Sequence, residues 1–356
     1  MEEKQEMVNN IKYTKTIRIW LLTGLIMLVG QVILGGITRL TGSGLSITRW
    51  DIITGVIPPL NAEEWLKAFE LYKETPQFHK INSTFTVQEF KFIYFWEYFH
   101  RLWVRSLGFI FLIPFLYFVL KKKIDLFLIK RLGIVVFLTM LTASAGWIMV
   151  QSGLVNRPWV NAYKLTIHFV LALFVVAAMV KTVADVYVFG TEKKGFSTKI
   201  VPILIVLTFI QMIFAGLMSG MKAGLYFPTW PTMNGEILPD VLLHATNWNW
   251  ENMMHYDSHL FAPAFIQFSH RMLAYLLVGL TVYMYFSLRK KITESTKMWL
   301  SIPVFLVLIQ VLLGILTVLY VQGKIPLFLG VSHQLVGLLY FMSLLFLYYS
   351  LRFNKT

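Results

Sequence analysis

Apolar residues in this chain run in long blocks, with polar and charged positions gathered between the blocks rather than alternating inside them. Eight such blocks lie near residues 17–38, 92–120, 132–154, 163–188, 199–219, 262–288, 299–321 and 326–351. Each matches the roughly 20 residues that a helix needs to cross the hydrocarbon of a bilayer. Barrel strands would need only about 9–11 residues and would alternate, which these blocks do not. The pattern predicts an all-α integral membrane protein with eight transmembrane helices. A composition of 57% hydrophobic and 14% charged residues belongs to the same class.

The net charge of +14 raises nucleic acid as a partner, and its distribution removes it. With the N-terminus in the cytoplasm, 19 Lys and Arg fall in the tails and even-numbered loops, including Lys121-Lys122-Lys123 and Arg289-Lys290-Lys291. Only 10 fall in the odd-numbered loops, with Arg18, Lys164, Lys181 and Lys199 in the end turns of spans counted with the adjoining loop or tail, and three, Arg101, Arg105 and Arg271, lie deeper within spans. Positive residues collect on the cytoplasmic side, so both termini are expected there. The first residues, with Glu2, Glu3 and Glu6, are too acidic for a transit peptide and lack a cleavable signal pattern. A bacterial plasma membrane is therefore expected in preference to the mitochondrial inner membrane. The chain has no cysteine. Disulfides, thiolate-ligated heme, cysteine-held iron–sulfur clusters and covalently attached heme are excluded.

The chain also repeats itself. At an offset of 180, Gln31, Ile33, Gly36, Gly44, Leu45, Trp50, Gly55 and Pro59 align with Gln211, Ile213, Gly216, Gly224, Leu225, Trp230, Gly235 and Pro239. The offset falls to 170 for His100-Arg101 against His270-Arg271 and to 165 for His168 against His333. Two pseudo-symmetric four-helix bundles are expected, over residues 1–190 and 191–356. With an even number of spans each, they form parallel repeats about an axis along the membrane normal.

Four histidines, His100, His168, His270 and His333, stand inside spans, one pair in each unit. An ionisable ring in hydrocarbon is costly without a partner. All four lie roughly six to nine residues into spans that run inward from outside, about 10–13 Å deep at 1.5 Å per residue. A single such histidine is more often a helix–helix hydrogen-bonding residue. Paired imidazoles at matched depth suit the two axial positions of a heme iron, so two bis-histidine hemes are expected. Gly108, Ala172, Gly279 and Gly337 would leave room for a macrocycle or serve close helix packing.

The halves differ beside these histidines. Glu97 precedes His100 by three residues, and its counterpart before His270 is Gln267. At that spacing the carboxyl shares the helix face of His100, where it can take a proton or stabilise positive charge. Pairing with Arg101 or Arg105 is its plainer role. Arg39, Arg101 and Arg271 suit heme propionates, since a guanidinium grips a carboxylate bidentately. Trp50 and Trp230 either cap the porphyrins or belong to an interfacial aromatic belt. His255 and His259, around Asp257, have the spacing of a weak metal pair, and His79 and His244 read as loop histidines.

The segments GGITRLTGSGLSITRW (35–50), ITGVIPPL (53–60), EYFHR (97–101) and QFSHR (267–271), with the histidines of spans 4 and 8, resemble the heme A synthase family across nearly the whole chain. The resemblance implies oxidation of the ring D methyl of heme O to a formyl group, giving heme A for terminal oxidases. It implies that His100 and His168 hold substrate heme O, that His270 and His333 hold a heme b cofactor, and that Glu97 is the catalytic carboxylate. Some members carry a cysteine pair in the first outer loop; this chain is similar to the cysteine-free branch. The implied partners are the farnesyltransferase that makes heme O and an electron acceptor of unknown identity; a homo-oligomer is compatible with the sequence. Two rival classes remain: a bis-histidine b-type cytochrome carrying electrons from quinol to an external acceptor, and a non-enzymatic transporter or assembly factor.

Overall fold

The computed structural model describes residues 13–48, 57–154, 157–187, 198–292 and 294–353, without the side chains of 294–296 and 352–353. Eight helices are long and apolar enough to cross a membrane. They are α1 (Lys15–Leu40), α2 (Val87–Leu120), α3 (Leu126–Gly153), α4 (Ala162–Tyr187), α5 (Ile200–Gly220), α6 (Phe261–Leu288), α7 (Glu294–Leu319) and α8 (Leu327–Phe353). Shorter helices, including Ala62–Lys73, Pro76–Lys80 and Trp250–Met254, occupy the two long connections, and no strand is formed among the described residues.

Helix ends are set by capping as well as by hydropathy. The α2 helix starts at Val87, before the apolar block, because Thr86 and Glu89 form a reciprocal capping box. Asp125 accepts from the Leu128 amide and starts α3 at Leu126, immediately after the lysine turn. The long connections and the short ones after α3 and α7 share one face, here termed the loop face.

The helices α1, α4, α5 and α8 form the centre, with α2 and α3 outside one half and α6 and α7 outside the other. Opposite faces of α8 serve the two cores. Leu338 and Phe341 join Ile17, Leu21, Leu128 and Met179 in one, whereas Tyr340, Leu344 and Leu347 join Leu204, Leu277 and Met284 in the other. Lipid tails are as apolar as these side chains, so close packing and polar contacts hold membrane helices together. A Cβ on Gly220 would lie 2.6 Å from Ala162, so glycine permits the close approach of α4 and α5. Trp103 Nε1 donates to the Met27 carbonyl at 2.9 Å, and Gln334 Nε2 donates to that of Val32 at 2.7 Å, tying α1 to α2 and to α8.

Candidate functional site

The four intramembrane histidines lie in the loop-face halves of α2, α4, α6 and α8, each half-buried. His168 Nδ1 is 2.9 Å from the Thr142 carbonyl oxygen on α3, and His333 Nδ1 is 3.1 Å from the Gln310 carbonyl oxygen on α7. A carbonyl only accepts, so Nδ1 carries the proton in both rings and Nε2 is left as the acceptor, which at His333 is met by the Gln310 amide at 3.4 Å. This is the arrangement by which proteins orient an imidazole as a metal ligand. Each ring also rests on a glycine: a Cβ at Gly146 or Gly314 would lie 2.8 Å or 2.9 Å from the Cε1 of His168 or His333.

The ring centroids of His270 and His333 are 6.4 Å apart. Two metal–nitrogen bonds of roughly 2 Å, plus the ring radii, place imidazoles on opposite sides of one ion roughly 6 Å apart. The buried His270 Nδ1 has no hydrogen-bond partner, and Gln211 Nε2 donates to the His270 carbonyl at 2.9 Å. In the first half, Gln31 Nε2 donates instead to His100 Nε2 at 2.7 Å. The donor set and the spacing of His270 and His333 fit a bis-histidine heme iron in the second half, and in the first half His168 shows the same Nδ1–carbonyl contact as His333. Among the described residues, no group of three or more His, Cys, Asp or Glu side chains gathers for a protein-only metal cage.

Glu97 is 3% exposed and fully engaged. Its Oε2 accepts from the Ser46 amide at 2.7 Å, the Ser46 hydroxyl at 2.6 Å and the Ile47 amide at 2.9 Å, and its Oε1 pairs with Arg101 at 2.5 Å. Gln267, fully buried, donates to the Phe227 carbonyl at 2.9 Å. Phe227 stands to Gln267 as Ile47 stands to Glu97. In both halves, the residue three before the histidine therefore holds the loop that follows α1 or α5. A carboxylate accepts amide protons from that loop, where the amide donates to a carbonyl.

The arginines do the same work. Arg101 reaches the Ile47 carbonyl, and Arg271 donates to the carbonyls of Phe227, Thr229, Pro231 and Thr232. Arg39 Nη2 donates to the Ser219 carbonyl at 2.5 Å, joining α1 to the end of α5. Trp230 donates to the Tyr275 hydroxyl at 3.0 Å, and Trp50 lies outside the described residues. Asp257 binds Arg157 at 3.0 Å and Trp159 Nε1 at 3.2 Å, so it braces the connection before α4. His259 Nδ1 accepts from the Phe261 amide at 3.1 Å, and His255 caps Trp250–Met254. His244 pairs with Asp240 at 3.1 Å, and His79 packs beside Phe78. Gly337 faces the Gln310 side chain, while Gly108 and Gly279 face open space.

Sequence reasoning passed over Thr142, Gly146, Gln310 and Gly314, and took Gln31 only as a repeat match. A backbone carbonyl has no sequence signature; a glycine repeated one helical turn beyond it does.

The family model of the cytochrome oxidase assembly protein matches residues 18–345. The chain belongs to that family. Similar curated proteins include the heme A synthase of Flavobacterium psychrophilum, 36% identical over 91% of this chain and 94% of its own length. Those of a Wolbachia of Brugia malayi (37%; 93% and 96%) and of Nitrosospira multiformis (36%; 95% and 94%) are alike in extent. With bacterial relatives of this kind and eight spans, the chain is a multi-pass protein of the bacterial plasma membrane.

Proposed function

We propose that this protein is a heme A synthase, an oxidoreductase that converts the ring D methyl group of heme O to a formyl group. The carrying observation is the pair of histidine sites with matched second contacts, Thr142 for His168 and Gln310 for His333, beside the unmatched Glu97 and Gln267. On this reading, residues 1–190 bind heme O through His100 and His168, and residues 191–356 hold a heme b through His270 and His333. The loop-face position of all four histidines puts both sites toward the outer leaflet, given cytoplasmic termini.

With water as the oxygen source, turning a methyl into a formyl group (R–CH3 + H2O → R–CHO + 4 H+ + 4 e−) needs a base near the carbon and a path that passes the electrons one at a time to an external acceptor. A bound heme b supplies one-electron redox chemistry. The chain's own residues do the rest. Glu97 is the group that accepts a proton, exchanging one of its loop contacts to do so. Arg101 balances its charge, and the Ser46–Ile47 loop that both residues hold fixes the carboxylate in place. Thr142 and Gly146 fix the His168 ring, and with it the position of the substrate. Arg101 and Arg271, each next to a histidine of its half, are the guanidinium groups that would meet heme propionates.

The test is to express the chain with a source of heme O, purify it, and identify the extracted hemes by chromatography and mass. Heme A or its hydroxylated precursor is expected. Heme b alone, with substrate delivery demonstrated, would instead establish an electron-transferring cytochrome.

A further inference from the structure

The two halves differ in one respect that the repeat does not predict. In the second half α6 and α7 pack along each other; in the first, α2 and α3 approach only at isolated points although a short turn joins them. The loop-face half of α3 borders this sparse contact, and no residue from 139 to 152 is buried there, as none is from 308 to 319 of α7, so the difference between the halves lies in the helix contacts. This is the level of His168, which the α3 residues Thr142 and Gly146 touch.

The sequence supports the difference. Thr142 and Gly146 correspond to Gln310 and Gly314 through their identical contacts with His168 and His333. Between them stand Ala143, Ser144 and Ala145, where α7 has Val311, Leu312 and Leu313. Ala143 is exposed, and its counterpart Val311 is half-buried. The α3 segment from 132 to 154 carries no charged residue. The α3 side of the seam thus carries no charge, has Ala143 exposed, and adjoins the His168 ring.

We infer that the seam between α2 and α3 receives the isoprenoid tail of heme O and is the lateral route by which this substrate enters and its product leaves. The inference rests on the assignment of the first half as the substrate site. A cofactor must be retained and a substrate exchanged at each turnover; a packed α6–α7 wall and an open α2–α3 seam meet those two requirements. The tail is apolar and as long as several lipid methylenes, so it gains nothing from the charged side of the site and fits the uncharged wall of α3.

The chain has no cysteine, so Ala143→Cys places a single thiol at the seam that can be enlarged after folding. The full-length variant is purified and titrated with heme O and with protoheme, which lacks the tail, before and after reaction with a bulky maleimide. The His100-dependent Soret change is read each time. Labelling is expected to weaken heme O binding tenfold or more and protoheme binding less than threefold. Labelling at Val311→Cys is expected to change neither. Unchanged heme O binding after labelling, or equal losses for both hemes, would overturn the tail slot. A heme O signal in the unlabelled protein that survives His100→Ala would instead overturn the first-half assignment, and this inference with it.

Discussion

Gly146 and His168 are in contact across α3 and α4, so close that a Cβ on the glycine would lie 2.8 Å from Cε1 of the ring. The same ring donates to Thr142 one turn away, so a displaced ring loses its tautomer as well as its position. Gly146→Val is therefore expected to lower heme O binding in the first half tenfold or more and leave the second heme in place. Gly314→Val should do the reverse, since it meets His333 at 2.9 Å. Heme content of the purified variants decides it; full content of both hemes in either variant would remove the glycines from the sites.

Gln31 gives a prediction of opposite sign. Its amide donates to His100 Nε2 at 2.7 Å, using the lone pair that an iron would take. Gln211, its repeat partner, donates to the His270 carbonyl and leaves that ring unoccupied. Replacing Gln31 with Leu removes a competitor worth about 1 kcal/mol, so heme O affinity in the first half should rise about fivefold by Soret titration. A fall would mean that Gln31 supports the bound state.

The eight spans and the four histidines were legible because bilayer thickness sets the length of an apolar block and because ionisable rings inside one are rare. The start of α2 was legible too, in the Thr-x-x-Glu pattern of Thr86 and Glu89, although hydropathy alone placed it later. What holds the histidines was not. Gln31 and His100 are separated by 69 residues, and His168 and His333 bond to backbone carbonyls that any residue could supply. The sparse contact between α2 and α3 was equally hidden, because nothing in Ala143-Ser144-Ala145 says which helix stands beside it.

The contrast with Gln267 singles out Glu97 as a group able to take a proton, the family resemblance implies that it is the catalytic carboxylate, and its contacts add a second duty. Glu97→Gln keeps an oxygen that can accept from Ser46 and Ile47, so the loop and both hemes should remain. It loses the charge opposite Arg101 and the capacity to take a proton. Conversion is expected to fall by about 10²–10⁴-fold. Heme extraction after coexpression reads both quantities; full conversion would take the carboxylate out of the reaction, and loss of the first heme would make its role structural.

Tyr72 carries the alkaline limit of the same loop. It is fully buried in the last turn of Ala62–Lys73, accepts from Asn82 at 2.7 Å and donates to Gln77 at 3.1 Å. Gln77 in turn donates to the Gly42 carbonyl at 2.9 Å, on the loop that carries Ser46 to Glu97. Burial pushes the Tyr72 hydroxyl up to about 12. A folded-state value above the unfolded one means that the folded loop binds the proton more tightly. The stability this contributes is complete below pH about 10 and is lost as pH rises toward about 12, in total on the order of 2 kcal/mol. Wild-type protein should therefore lose order in the 57–86 segment across that window, read by hydrogen exchange, before the transmembrane helices respond. Tyr72→Phe, which has no proton to lose, should start less stable and show a flatter dependence on pH; an unchanged alkaline slope in that variant would assign the effect to another group.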